Sequence, residues 1–242
     1  MSYNLAKFRN QLLQLGLCAT ADMEHQLIHY YEILTEWNKV MNLTTITDFD
    51  EVLEKHFLDS VSIANYVEFS ETIRLIDVGT GAGFPGIPLK ILYPHINVLL
   101  VDSLNKRVNF LNDVIGQLQL KNIEAVHGRA EELARKKEYR NQFDLCVSRA
   151  VANLASLSEY CLPFVKTGGI FAAYKSIEVD SEVEESKKAL RLLGGKLKAV
   201  KKFRLPDTEY SRSIVIIENK EVTSKKYPRK AGIPGKQPLG ME

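Results

Sequence analysis

Apolar residues recur with two different periods along this chain, and the change from one to the other divides it. Leu5, Phe8, Leu12 and Leu15 fall three or four apart and stop at Gly16, which predicts a short amphipathic helix over residues 4–15. Leu27, Tyr30, Tyr31, Leu34, Trp37, Val40 and Met41 supply the apolar face of a second helix, with Asp22 placed to cap it and Trp37 read as a core anchor. The segment Asn42-Leu-Thr-Thr-Ile-Thr-Asp48 competes with helix, and a third helix is predicted from about Asp50 to Asn65 on Val52, Leu53, Phe57, Val61 and Ala64. From Ile73 the pattern changes to short apolar runs, near 73–78, 97–102, 122–127 and 143–148, separated by helical segments. That alternation predicts a parallel, doubly wound sheet.

A further helix is expected at about 153–165, and Gly168-Gly-Ile-Phe-Ala-Ala-Tyr174 reads as a fifth strand entered by a glycine turn. Ser181-Glu-Val-Glu184 has the form of a capping box, opening a helix that ends at Leu193 before Gly194-Gly195. Only Leu205-Pro-Asp-Thr-Glu209 connects the strand at 197–204 to the strong strand at 213–217, so the two are expected to be antiparallel. The expected fold class is therefore α/β: a Rossmann-like, doubly wound, seven-stranded, mostly parallel sheet with an N-terminal helical extension. We divide the chain into a helical region at 1–68, a sheet domain at 69–220 and a basic tail at 221–242. The tail holds three prolines, three glycines and five Lys/Arg, and is expected to be ordered only where it docks.

Composition narrows the class without changing it. With 242 residues, 45% apolar and 26% charged, the chain is long enough for one large α/β domain with an appendage. No apolar run approaches the length of a bilayer span, and Asn4, Lys7, Arg9 and Asn10 interrupt any signal-peptide core, so a cytoplasmic location is expected. Cys18, Cys146 and Cys161 form no C-x-x-C pair, and His25 and His29, four apart on a helix, lack a third ligand; no metal site is expected. The net charge of +2 conceals a division: residues from Lys196 to Glu242 carry +7 and the remainder −5. A basic end on a mildly acidic body points to a polyanionic partner.

Four of the fourteen glycines fall between Gly79 and Gly86, directly after the strand Ile73-Arg-Leu-Ile-Asp-Val78. A side chain at Gly79, Gly81 or Gly83 would obstruct close approach of backbone to a ligand, and Pro85 suits the first turn of the next helix. Asp102 ends the following apolar run nineteen residues after Gly83, where an open sheet commonly places an acid for a ribose hydroxyl pair. On these residues alone, a nicotinamide-dependent oxidoreductase fits as well as other nucleotide-binding enzymes. A noncatalytic RNA-binding assembly protein is a further alternative.

Asp77-Val-Gly-Thr-Gly-Ala-Gly83 followed by Asp102 resembles motif I and its following acid in class I S-adenosylmethionine-dependent methyltransferases, whose final strand is antiparallel. More closely, five blocks in order resemble the ribosomal RNA small subunit methyltransferase G family, also called glucose-inhibited division protein B. They are Trp37-Asn-Lys-Val-Met-Asn-Leu-Thr44, His56-Phe-Leu-Asp-Ser60, Gly79-Thr-Gly-Ala-Gly-Phe-Pro-Gly-Ile-Pro88, Ser148-Arg-Ala-Val151 and Pro228-Arg-Lys-Ala-Gly232. The resemblance implies a class I methyltransferase fold, S-adenosylmethionine as cofactor, and methylation of guanine N7 at position 527, in the usual numbering, of 16S ribosomal RNA. The implied partner is that RNA or the small ribosomal subunit, and a monomer is expected. Carried over by position, the implied cofactor contacts are Gly79 and Phe84 in the glycine loop, Ala130-Glu131 after the third strand and Arg149 after the fourth. Gly81, Gly83 and Asp102 join them from the general class I pattern.

Chemistry refines these roles. Glu131 can accept from an adenine amino group, and Arg149 can pair with the cofactor carboxylate or with phosphate. Guanine N7 already has an in-plane lone pair and bears no proton, so no general acid or base is assigned, His56 and Asp59 are read as structural, and the chemical step is expected to be flat around neutral pH. The major groove of A-form RNA is too narrow for a protein pocket, so the guanine is expected in a loop or bulge, or extruded. Phe84 and Tyr174 are candidates to stack on it, with ordinary packing the rival reading. Phosphate contacts are expected from Lys198, Lys201, Lys202, Arg204, Lys225, Lys226, Arg229 and Lys230.

Overall fold

A computed structural model describes residues 3–69, 73–149 and 151–240; Ala150 of the fourth sequence block and the last two residues of the tail lie outside them. Seven strands form one sheet: β1 Arg74–Val78, β2 Asn97–Asp102, β3 Ile123–His127, β4 Phe143–Arg149, β5 Val165–Ser176, β6 Gly195–Arg204 and β7 Ser211–Asn219. Their order is β3-β2-β1-β4-β5-β7-β6, with β1 to β5 parallel and β7 antiparallel to both neighbours. The order reverses between β1 and β4, and the carboxyl ends of strands at such a switch point form a crevice.

Alternate residues of a strand face opposite sides, and both sides are apolar here, as the sequence pattern requires of a sheet covered on two faces. On β7, Ile214 and Ile216 enter one core, and Val215 and Ile217 the other. The first core also holds Leu5 with Phe8 and Leu12 of α1 (Ala6–Gln14), which Leu5 precedes, Leu27, Tyr30 and Leu34 of α2 (Ala21–Asn38), and Phe110, Leu111 and Val114 of α6 (Asn105–Gln117). The N-terminal helices therefore cover a face of the sheet. Trp37 serves this contact: its indole donates to Asp113 Oδ2 at 2.7 Å and meets Phe110 edge-on. The second core is built by α7 (Ala130–Leu133), α8 (Leu154–Cys161), α9 (Asp180–Leu193) and, from the tail, Tyr227 and Leu239.

Several helix starts differ from the sequence reading. Thr20, not Asp22, caps α2, accepting from Met23 N at 3.3 Å; the helix begins at Ala21, which leaves Asp22 in the first turn where its charge meets the helix dipole. Helix α9 opens at Asp180, before the Ser181 box. Ser181 thus falls inside the first turn, and Glu184, the acid of that box, pairs with Lys187 instead. Pro85 precedes the first turn of α5 (Gly86–Leu92) and follows a cis peptide bond. The third helix is present but irregular: α3 (Phe49–Val52) runs into a π-helical segment, Leu53–Leu58, then α4 (Asp59–Val61) and a 3-10 turn, Ser62–Asn65. Asp48 caps it.

The tail is docked through its described length. Arg140 donates to the carbonyls of Thr223, Ser224 and Tyr227, and Arg135 to that of Pro228. Arg229 grips the fully buried Glu159 with both Nε and Nη2, at 3.0 and 2.8 Å from its two oxygens. Ser156 Oγ donates to Pro234 O, so a short α10 (Ile233–Lys236) lies against α8.

Candidate active site

The glycine loop is tied down on both sides. Gly79 N and Thr80 N donate to Val101 O, and Gly81 N donates to Asp102 Oδ2 at 2.9 Å. The other oxygen of Asp102 accepts from Leu104 N, also at 2.9 Å, so one carboxylate sets the turns after β1 and β2 together. Asp77 performs a second such task from inside. Its Oδ2 accepts from Thr80 Oγ1 and Gly86 N, joining the loop to the start of α5.

Two of the glycines answer to the chain's own packing more than to a ligand. A Cβ on Gly83, whose φ is +91°, would stand 2.6 Å from the Tyr30 hydroxyl, and one on Gly86 would stand 2.3 Å from Leu100 Cδ2. At Gly81, with φ +61°, the space is open, so there the backbone does face outward. The N-terminal helices brace this loop: Tyr30 donates its hydroxyl to Ala82 O, and Phe84 stacks on His56 with ring centroids 4.5 Å apart.

Gly79, Asp102, Ala130 and Glu131 meet around a cavity of about 190 Å³ at the carboxyl ends of β1, β2 and β3. Among its other walls are Gly128, Val151, Tyr160 and Gly232, which the sequence reading did not assign to the site. Glu131 is buried and its Oε1 accepts from Gly232 N at 2.9 Å, leaving Oε2 for a ligand among the described contacts. The cavity, about 190 Å³, is smaller than the roughly 300–1,000 Å³ usual for a small-molecule site, so a nucleoside-sized ligand would have to extend beyond it. A larger hollow of about 510 Å³ around Arg74, Asn97 and Phe143 lies at the opposite, amino-terminal end of the strands, where open sheets do not hold ligands.

Phe84 and Arg149 stand elsewhere. The Phe84 side chain is buried between Tyr30, His56 and Phe57, with the Arg149 guanidinium 5.0 Å from its ring centre. It is therefore a packing residue and is closed to a base. Tyr174 is likewise buried, donating to Ser60 O at 2.6 Å. Arg149 lines a second cavity, of about 410 Å³, with Lys55, Asp59, Lys175 and Arg212. Its Nη1 donates to Asp59 Oδ2 at 2.9 Å and to Lys55 O at 3.2 Å. Lys55 lies in the π-helical segment, so that irregular turn borders this cavity.

The basic residues expected to meet RNA fall in two places. Lys198, Lys201, Lys202 and Arg204 are exposed on the edge strand β6, where Lys202 pairs with Asp180 and Arg204 with Glu209. Lys225, Lys226 and Lys230 are exposed on the tail. Arg229 leaves that group: its guanidinium is committed to Glu159 and Gln237 O, so it anchors the tail.

Two buried titratable groups shift in opposite senses. Burial pushes Asp77 up from 3.8 to about 6, against the opposing hydrogen bonds from Thr80 and Gly86; burial, then Arg149, pushes His56 down from 6.5 to about 3. The unfolded chain ionises Asp77 first, so that group lowers stability as pH rises from 3.8 to about 6. The unfolded chain protonates His56 first, so that group lowers stability as pH falls from 6.5 towards 3. The two offset each other between about pH 4 and 6. His56→Gln is expected to expose the Asp77 trend: stability by urea unfolding should decline from pH 4 to 6 relative to the wild type, by on the order of 1 kcal/mol per pH unit. A variant whose stability keeps the wild-type pH dependence would contradict this.

A glycine loop at the switch point, an acid closing the neighbouring strand and an antiparallel β7 set between β5 and β6 together define a class I S-adenosylmethionine-dependent methyltransferase. Solved structures agree at the level of fold: M. jannaschii TYW2 in complex with AdoMet aligns with a TM-score of 0.54 at 16% identity, over 72% of this chain and 77% of that one. A SAM-dependent methyltransferase from Aquifex aeolicus aligns at 0.52 and 20% identity, over 71% and 94%. The sequence pattern of the family described as rRNA small subunit methyltransferase G matches residues 23–214. The ribosomal RNA small subunit methyltransferase G of Lachnoclostridium phytofermentans is 54% identical over 96% of both chains, and that of Brevibacillus brevis 48% identical over 96% of this chain and 98% of its own. The chain belongs to the ribosomal RNA small subunit methyltransferase G family.

Proposed function

We propose that this protein, acting as a cytoplasmic monomer, transfers the methyl group of S-adenosylmethionine to N7 of one guanine in 16S ribosomal RNA. The observation that carries the reading is the family match over nearly the whole chain. The geometry supports it. S-adenosylmethionine supplies a sulfonium-bound methyl group, which the N7 lone pair can take without loss of a proton. The donor fits the cavity on this chain's own chemistry: Glu131 has an acceptor oxygen for an adenine amino group, Asp102 lies at the end of β2 for the ribose, and Gly81 keeps the loop open. No helix among the described residues is long and apolar enough to cross a membrane.

Among the described residues, none beside Arg149 is poised as a base. Asp59 is committed to Arg149 and Arg212, and His56 is held neutral with its basicity suppressed. The residues accelerate transfer by alignment, holding the donor on the glycine loop and excluding water. Labelled S-adenosylmethionine incubated with 16S RNA and with small subunits, both from cells lacking this modification, should label a single guanine at N7. The single-turnover rate should be flat across neutral pH. No transfer to either substrate, or label on another atom, would refute the reading.

A further inference from the structure

The second cavity holds a cluster of charges apart from the cavity that contains the glycine loop. Asp59 is nearly buried and serves two guanidiniums at once, with Oδ2 2.9 Å from Arg149 Nη1 and Oδ1 3.1 Å from Arg212 Nε. Lys55 and Lys175 on the same rim are each neutralised by an acid of their own, Glu51 and Glu182. The cluster of Arg149, Asp59 and Arg212 therefore carries one unbalanced positive charge. A guanidinium has five N–H donors, and Arg212 spends two, on Asp59 and on Ser211 O. Three remain without a protein partner among the described residues.

Such a cavity is rich in donors and has its one carboxylate already engaged. The Watson–Crick edge of guanine needs acceptors for N1–H and the amino group, so this cluster does not suit it. A monoanion offering two oxygens does, and the two candidates are an RNA phosphodiester and the carboxylate of the methyl donor. Position separates them. Arg212 opens β7, which lies beyond β4 and β5 from β1, or three strand spacings and roughly 14 Å from the strand that carries the glycine loop. That distance favours the RNA.

We propose that Arg212, held in place by Asp59 and backed by Arg149, is an anchor for a single backbone phosphate of the acceptor RNA beside the methylated nucleotide. The proposal rests on the RNA methyl transfer argued above. Its residues come from widely separated parts of the chain, α4 and β7, so the anchor also fixes the N-terminal helices to the RNA-facing end of the sheet.

Arg212→Gln and Arg212→Lys in the full chain test it, with unmodified small subunits or 16S RNA as acceptor. Arg212→Gln should raise KM for RNA by about 10-fold or more and make the dependence of log kcat/KM on log salt shallower by about one. Its affinity for S-adenosylmethionine by titration calorimetry and its thermal midpoint should stay near wild type. Arg212→Lys should recover the salt dependence and only part of KM, because an ammonium lacks the fork. An unchanged RNA KM and salt slope overturns the anchor. So does a matching loss of cofactor affinity, which assigns the anion to the cofactor carboxylate, or a parallel fall in midpoint, which makes Arg212 structural. If the wild-type enzyme itself methylates neither acceptor, the proposed function has failed; if it does and Arg212→Gln equals it, only the anchor has.

Discussion

Replacing Arg229 with methionine is expected to lower the unfolding free energy by about 3–5 kcal/mol, because it strands a buried carboxylate. Glu159 is fully buried, and the Arg229 guanidinium spans both its oxygens; without it the carboxylate keeps only the backbone N–H of residue 229, at 2.7 Å in the intact chain. The cost belongs to the orphaned charge more than to the pair, so the double replacement Glu159→Leu with Arg229→Met should recover much of the loss. Urea unfolding of the four proteins in this cycle measures both effects. Lys226→Glu and Lys230→Glu provide the contrast: exposed and unburdened by such a partner, they should change stability by no more than about 0.5 kcal/mol while weakening RNA binding in a salt-sensitive way. An Arg229→Met protein as stable as the wild type would remove the tail anchor from this account.

Asp102→Ala should weaken S-adenosylmethionine binding by about 100-fold. The carboxylate does more than face the ribose side of the cavity: it accepts from Gly81 N and Leu104 N and so shapes two of the turns that line or flank the site. Orphaning a buried donor costs about 1–3 kcal/mol, and about 3 kcal/mol taken from the bound state is a little over two decades in Kd. Asp102→Asn keeps an acceptor and should fall between. Titration calorimetry on folded protein distinguishes this from general loss of structure. Equal affinity in Asp102→Ala and wild type would mean that the loop needs no such tie and that the ligand does not use the acid.

The strands β1, β2, β4 and β7 were legible because they are covered on both faces, which leaves an apolar run where helices leave gaps. The cavity beside the glycine loop was half legible for a related reason. Gly79, Asp102 and Ala130-Glu131 all stand just past strand ends, and in a parallel sheet those positions converge whatever lies between them. Gly232 was not, since its contact with Glu131 spans 101 residues of chain and no local pattern announces it. The Asp59–Arg212 pair, 153 residues apart, was hidden in the same way, and Asp59 was read only as a structural group in its helix. Arg229 was placed with the phosphate-binding lysines because a charge count records sign and not partner. Phe84 was left as a candidate to stack on a base, against the rival reading of ordinary packing, because its position in the glycine loop says nothing about which way a neighbouring helix will draw the ring. The π-helical segment at Leu53–Leu58 left no trace either, because one extra residue in a turn barely alters the apolar spacing.

Gly232 gives the cavity a wall from the far end of the polypeptide. Synthesis runs from the amino end, so the glycine loop, Asp102 and Glu131 are made well before this wall. The cavity therefore lacks one wall until residue 232 has been made, although Glu131 and the glycine loop precede it by 101 positions or more.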